Sequence, residues 1–109
     1  MWKNSKNTFI IPDKFSISGV DYNVSVVESA EKDLGGGILG DFSSLIHEIR
    51  VAKKCLFENE VINIPEEEII KTYLHELGHC FGEWYNGDDS EAFANAFSNF
   101  IFEYLKTKK

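Results

Sequence analysis

The chain has 109 residues and a formal net charge of −7. Its length fits one compact domain, residues 1–109, and leaves no room for a second. A hydrophobic content of 43%, including nine Phe, is enough to form a core without disulfides or a structural metal. The acidic balance argues against nucleic-acid binding, because a negative surface is repelled by phosphate backbones.

All of the net charge lies in the second half of the chain. Residues 1–54 carry seven basic and seven acidic residues, whereas residues 55–109 carry four basic and eleven acidic ones. This acidic excess indicates either a solvated acidic face or a cleft that prefers basic or neutral peptides.

The sequence gives no sign of export or of membrane insertion. Its N-terminus lacks an apolar signal core, and its longest apolar runs are too short to cross a bilayer. Cys55 and Cys80 are too few for a disulfide framework. We therefore expect a cytoplasmic protein with reduced thiols and no membrane partner.

Residues 1–64 have the alternating pattern of β-strands. Two alternating runs, 15–18 and 22–27, flank a short turn that begins at Gly19, and they predict a hairpin. The glycines at 35–37 predict a flexible connector. Further strands are predicted at 8–11, 38–43 and 48–52, the last two pairing antiparallel.

From residue 65 onward the period is helical. A helix is predicted over 65–85, from Pro65 to a stop at Asn86-Gly87, with an apolar stripe of Ile70, Leu74, Leu77, Phe81 and Trp84. A second helix is predicted over 89–106, with an apolar face of Phe93, Phe97, Phe100, Ile101 and Tyr104. The expected fold class is α+β, with a small, mostly antiparallel N-terminal sheet (1–64) packed on two helices (65–109).

The segment His75-Glu76-Leu77-Gly78-His79 carries the chemistry. Four helical steps bring the two imidazoles to one side of the first helix, where they can share one metal ion. Glu76 leaves the helix about 100° away, too far round to join that ion but able to reach a water on it. The segment therefore predicts a Zn²⁺ site with Glu76 as the general base for peptide hydrolysis.

Two histidines do not complete a zinc site, so a third ligand is expected. Glu91 leads, because a short connection places the second helix against the first. Glu91 also has a structural interpretation, since Asp88 as helix cap with Glu91 three residues on resembles a capping box. The other candidates for the third ligand are Asp88, Asp89, Glu83, His47 and Cys80, of which Cys80 is interpreted as a small core residue.

Other polar groups near this segment have open roles. Tyr73, Tyr85 and His47 are conceivable oxyanion donors, although each is interpreted as structural. Asn95 either orients Glu91 or faces solvent. Gly78, without a side chain, permits close approach of the second helix.

His75-Glu76-Leu77-Gly78-His79 followed by Glu91-Ala92-Phe93-Ala94-Asn95-Ala96-Phe97 resembles the ImmA/IrrE family of phage and mobile-element metallopeptidases, which are gluzincins. The resemblance covers mainly 65–105. It implies a zincin-like fold, a peptide or protein substrate laid along an edge strand, zinc ligands His75, His79 and Glu91, and Glu76 as base. An alternative is a zinc-stabilised binding or regulatory module without catalytic activity.

Overall fold

The computed structural model describes residues 2–3 and 9–108 and has two layers, a β-sheet and a pair of helices. The seven strands are β1 (Trp2–Lys3), β2 (Ile10–Ile11), β3 (Lys14–Ile17), β4 (Val20–Ser29), β5 (Gly40–Ser43), β6 (Glu48–Phe57) and β7 (Glu60–Asn63). β1 and β2 form a separate antiparallel pair. Thr8, the first residue of a predicted strand, lies outside the described residues.

The main sheet has the order β3-β4-β6-β5, and β7 pairs with the far end of β6. The predicted hairpin is confirmed as β3 and β4, and the predicted antiparallel pair as β5 and β6. The hairpin turn lies one residue earlier than predicted, at Ser18 and Gly19, which both have positive φ. Val20 is therefore already a strand residue.

Two features of the sheet were not predicted. β4 and β6 pair in parallel, so the sheet is mixed, although its other pairings are antiparallel. The β6–β7 hairpin turns through Glu58 and Asn59, both with positive φ. Asn is common in such a turn and Glu is not, so the sequence carries only half of the usual hairpin signal.

Two helices, α1 (Glu66–Phe81) and α2 (Glu91–Thr107), form the second layer. α1 continues as a π-helical turn, Gly82–Asn86, which ends at left-handed Gly87 as predicted. α2 begins later than predicted, and its cap is Ser90, whose hydroxyl accepts a hydrogen bond from Phe93 N at 3.1 Å. The capping role predicted for Asp88 is therefore wrong.

The predicted apolar faces of the helices are only partly buried. The core includes Ile70 and Leu74 of α1, but Phe81 and Trp84, at the C-terminal end of the stripe, are exposed. On α2, Phe100 and Tyr104 are exposed, whereas Ala94, Ser98 and Phe102 are buried. The buried face of α2 is rotated from the predicted one because Ala94 meets α1 at Gly78. In the described part of the chain, no helix is long and apolar enough to cross a membrane.

Candidate metal centre

Three side chains converge where α1 meets the start of α2. His75 and His79 lie one turn apart on α1, and Glu91 is the first residue of α2. The Glu91 carboxylate bridges the histidines, with Oε2 2.9 Å from Nε2 of His75 and Oε1 2.8 Å from Nε2 of His79. One ligand atom from each residue lies within 4.8 Å of the others. The structure thus brings together the three residues predicted as ligands.

Two glycines allow the helices to approach this closely. A Cβ atom on Gly78 would lie 3.1 Å from Cα of Ala94, so a side chain there would push against the α2 backbone. A Cβ atom on Gly82 would lie 2.0 Å from the carbonyl oxygen of Asp88, a contact that no side chain could make. Gly82 therefore lets the short connection fold back over the end of α1 and place Glu91 opposite the histidines. The role of Gly78 was predicted, and that of Gly82 was not.

His79 is held from both sides of its ring. Its Nδ1 lies 3.0 Å from Oδ1 of Asp89, while Nε2 faces Glu91. Burial alone would lower the pKa of His79, but the hydrogen bond that its ring donates to Asp89 and the charges of Glu76 and Glu91 outweigh burial and raise it. A carboxylate on Nδ1 fixes the proton there and leaves Nε2 free to bind a metal. Asp89, predicted only as an alternative ligand, orients His79 instead.

Glu76 points into the site without joining the three converging residues. Its side chain is buried, at 8% exposure, and it makes no hydrogen bond within the part of the chain that the structure describes. No fully buried polar side-chain atom is unpaired among those residues, so the Glu76 carboxylate must open to the cleft. Burial raises the pKa of Glu76, and the nearby His75 and His79 partly offset that rise.

Two cavities flank the site, and Glu76 and Glu91 line both of them. The polar cavity, of about 410 Å³, is further lined by His75, Lys71, Thr72, Asn95, Ser98 and Asn99. The acidic cavity, of about 420 Å³, is further lined by His79, Asp41, Phe42, Ser44, Glu83 and Asp89. β5 borders both cavities, which therefore form one cleft between the edge of the sheet and the helices.

The remaining ligand candidates lie elsewhere or have other contacts. Asp88 accepts a hydrogen bond from Ser90 N at 2.9 Å. His47 lies against Tyr22, with ring centroids 5.1 Å apart, and lines neither cavity. Cys80 is buried in the core, as predicted, and burial raises the pKa of its thiol. Glu83 lines the acidic cavity but is not one of the three converging residues.

The conceivable oxyanion donors are not at the site either. Tyr73 is buried in the core, and burial raises its pKa to about 12. Tyr85 is exposed and contacts Phe81 on the apolar side of α1. Asn95 is exposed and lines the polar cavity, with no hydrogen bond to Glu91. No described Tyr side chain lines either cavity.

The donor set suits a transition metal such as zinc better than calcium or magnesium. Two imidazole nitrogens and one carboxylate are one of the ligand sets of catalytic zinc sites, which keep a fourth position open, and they also hold iron(II) in other proteins. Calcium and magnesium prefer oxygen ligands alone. No known family, no characterised protein and no solved structure matches this chain. No relative therefore supplies a function for the site.

Proposed function

We propose that this protein is a zinc-dependent peptidase in which His75, His79 and Glu91 hold the metal and Glu76 is the general base. The observation that carries the proposal is the pairing of a three-ligand cluster with a buried carboxylate that opens into the same cleft. A purely structural site has no use for such a carboxylate, because burying an unpaired acid destabilises the fold.

The ligands present two nitrogens and one carboxylate oxygen. Zinc bound there would lower the pKa of a coordinated water to about 7 and polarise a substrate carbonyl. The open fourth position fits the exposure of the site, since Glu91 is 73% exposed whereas His75 and His79 are 18% and 12% exposed. Substrate could therefore approach from the side of Glu91.

Glu76 moves the proton in this proposal. Its carboxylate accepts a proton from the attacking water, whose oxygen forms the new bond to the peptide carbonyl carbon. The same carboxyl then donates that proton to the leaving amine nitrogen as the C–N bond breaks. Burial suits this exchange, because it raises the pKa of Glu76 toward the working pH.

The free edge of β5 supports an extended peptide as the substrate. Ala52 N donates to Leu39 O at 2.9 Å, which makes these two residues a hydrogen-bonded pair. In an antiparallel ladder such pairs alternate, so the backbone groups of Gly40 and Phe42 point away from β6. A peptide added along this edge would run beside the site.

Within the α+β class, the fold that we propose is zincin-like. A small sheet whose edge strand borders the cleft, a helix with His75, Glu76 and His79, and a second helix with Glu91 are all parts that the resemblance to ImmA/IrrE-type metallopeptidases implies. The likeness supports the proposal through the arrangement of these parts.

Metal content and hydrolysis test the proposal together. We expect about one zinc per chain after loading, and peptide hydrolysis that a chelator abolishes. Glu76→Gln should keep the zinc and lose hydrolysis, while Glu67→Gln, a matched change at an exposed residue of α1, should keep both. Hydrolysis by the Glu76→Gln variant at the parent rate would show that Glu76 is not the base.

The same experiment separates the alternative, a zinc-stabilised binding module. That module would bind zinc and melt at a higher temperature with it, yet neither parent nor variant would hydrolyse a peptide. A fourth protein ligand, detected by X-ray absorption spectroscopy of the bound zinc, would also favour the binding module. Asp89 is one candidate for that ligand, but its carboxylate is already engaged by Nδ1 of His79.

A further inference from the structure

The two cavities of the cleft differ in charge. Outside the proposed ligands and Glu76, the polar side chains that line the polar cavity are amides, hydroxyls and one cation, Lys71. The acidic cavity is lined by three further carboxylates, Asp41, Glu83 and Asp89, and by no cation. A peptide lying along β5 would therefore meet unlike surfaces on the two sides of its scissile bond.

Partners within the protein neutralise only part of this acidity. Asp41 is paired with Arg50, whose Nε donates to its carboxylate at 3.0 Å. Asp89 accepts a hydrogen bond from His79, and the 77% exposure of its side chain leaves the carboxylate accessible. Glu83 forms no ion pair within the described residues. Two acids, Glu83 and Asp89, thus keep their charge available to a ligand.

Bound zinc would not remove the excess. The ion carries two positive charges, and the carboxylates of Glu76 and Glu91 already match them. Glu83 and Asp89 then remain as two net negative charges on one wall of the acidic cavity. The cavity stays acidic with or without the metal.

A second observation points to a ligand in this cavity. Glu76 is more than nine-tenths buried, lines the acidic cavity as well as the polar one, and has no hydrogen-bond partner in the described part of the chain. A buried carboxylate that lacks a protein donor gains from a donor that arrives with a ligand. The cavity therefore combines exposed acids at its rim with an unpaired acid in its floor.

We propose that the acidic cavity is a specificity subsite for a lysine or arginine side chain adjacent to the scissile bond of the peptide. The inference rests on the proposed function, and it assigns Glu83 and Asp89 as the residues that read the basic side chain. Glu83 is the cleaner probe of the two, because within the described residues no hydrogen bond or ion pair joins its side chain to a proposed metal ligand.

Binding to a zinc-loaded Glu76→Gln variant, which keeps Glu83 and Asp89, tests the role of these two residues apart from hydrolysis. The probes are fluorescent peptides of one sequence in which Lys, Gln or Glu is placed in turn at each position around the expected bond. We expect the best Lys peptide to bind about tenfold more tightly than its Glu counterpart at low salt. This preference should shrink at high salt, because exposed charges are screened.

Adding Glu83→Gln to that variant should weaken binding of the Lys peptide about threefold and leave binding of the Gln peptide unchanged. Glu103→Gln, the same change at an exposed residue that lines neither cavity, is the control. Equal binding of Lys and Glu peptides, or no binding of any peptide, would overturn the subsite. A Lys preference in a protein that hydrolyses nothing would support the subsite and overturn the peptidase.

Discussion

The carboxylate of Asp89 lies 3.0 Å from Nδ1 of His79, while Nε2 of the same ring faces Glu91 across 2.8 Å. The ring is therefore held in position by a residue of the loop that precedes α2. The same loop ends at Ser90, which caps α2 and so sets where Glu91 begins it. One short connection thus positions both His79 and its partner.

Replacing Asp89 with Asn should weaken zinc binding about 10- to 100-fold, the usual effect of losing a carboxylate behind a ligand histidine. Asn can still accept a hydrogen bond from Nδ1, but it loses the charge that makes Nε2 a stronger ligand. Competition with a chromophoric chelator measures the affinity. Asp88→Asn, the same change at the neighbouring residue, should have little effect on the zinc affinity. Equal affinities for the two variants would contradict the orienting role of Asp89.

Replacing Gly78 with Ala should destabilise the protein, although Ala is the better helix former by about 1 kcal/mol. The new methyl group would lie 3.1 Å from both Cα of Ala94 and a ring carbon of Phe97, so the helices must part. Overpacking of this kind costs about 1–3 kcal/mol. Urea unfolding measures the change.

Gly36→Ala is the matched control for that variant. No atom lies within 4 Å of a Cβ placed there, and its φ is not positive. We expect this variant to be as stable as the parent. If Gly78→Ala were equally stable, α2 would not approach α1 as closely as described.

Glu76→Gln should stabilise the metal-free protein at neutral pH. Burial raises the pKa of Glu76 above its ordinary 4.5, so the folded state binds the proton more tightly than the unfolded state does. The resulting penalty is absent below pH 4.5 and grows as the pH rises through the folded pKa. Each unit of pKa shift corresponds to about 1.4 kcal/mol.

Thermal melts in chelator between pH 4 and pH 8 measure this difference. The variant should melt higher than the parent at pH 8, and the gap should close toward pH 4. Glu103→Gln, at an exposed residue of α2, should show no such trend. A gap that widened toward acid would mean that Glu76 is stabilised as the anion.

Replacing Tyr22 with Phe should destabilise the protein by about 1 kcal/mol. Nε1 of Trp84 donates a 2.6 Å hydrogen bond to the Tyr22 hydroxyl, which links the end of α1 to the sheet. Loss of the acceptor leaves the indole N–H without its partner, and partial exposure of Trp84 lets water replace some of the bond. Tyr104→Phe, at an exposed ring, should be neutral. Denaturant unfolding compares the two.

Local periodicity predicted much of the candidate site. The spacing of His75 and His79 follows from helix geometry, and the short connection to α2 correctly placed Glu91 against them. The loop between the helices was not predictable in the same way. Asp88, Asp89 and Ser90 are all good cap residues, and only the folded path over Gly82 decides which of them caps α2 and which contacts His79.

In the sheet, too, the features that depend on neighbouring residues were predicted, and those that depend on residues distant in sequence were not. Alternation within a strand located β3, β4 and β6, because a period of two residues is visible in neighbouring residues. The parallel pairing of β4 with β6 joins residues such as Val24 and Ile49, which are distant in sequence. No local pattern specifies that partner, so the mixed character of the sheet emerged only from the structure.

All three proposed ligands lie between His75 and Glu91, within a single helical hairpin. β5, the strand that borders the cleft, lies much earlier in the chain. Closing a short loop costs less entropy than closing a long one, so we expect the hairpin to gather its ligands before the sheet docks. The metal site would then form at an earlier stage of folding than the complete cleft. A partly folded chain could therefore bind zinc before it can act on a substrate.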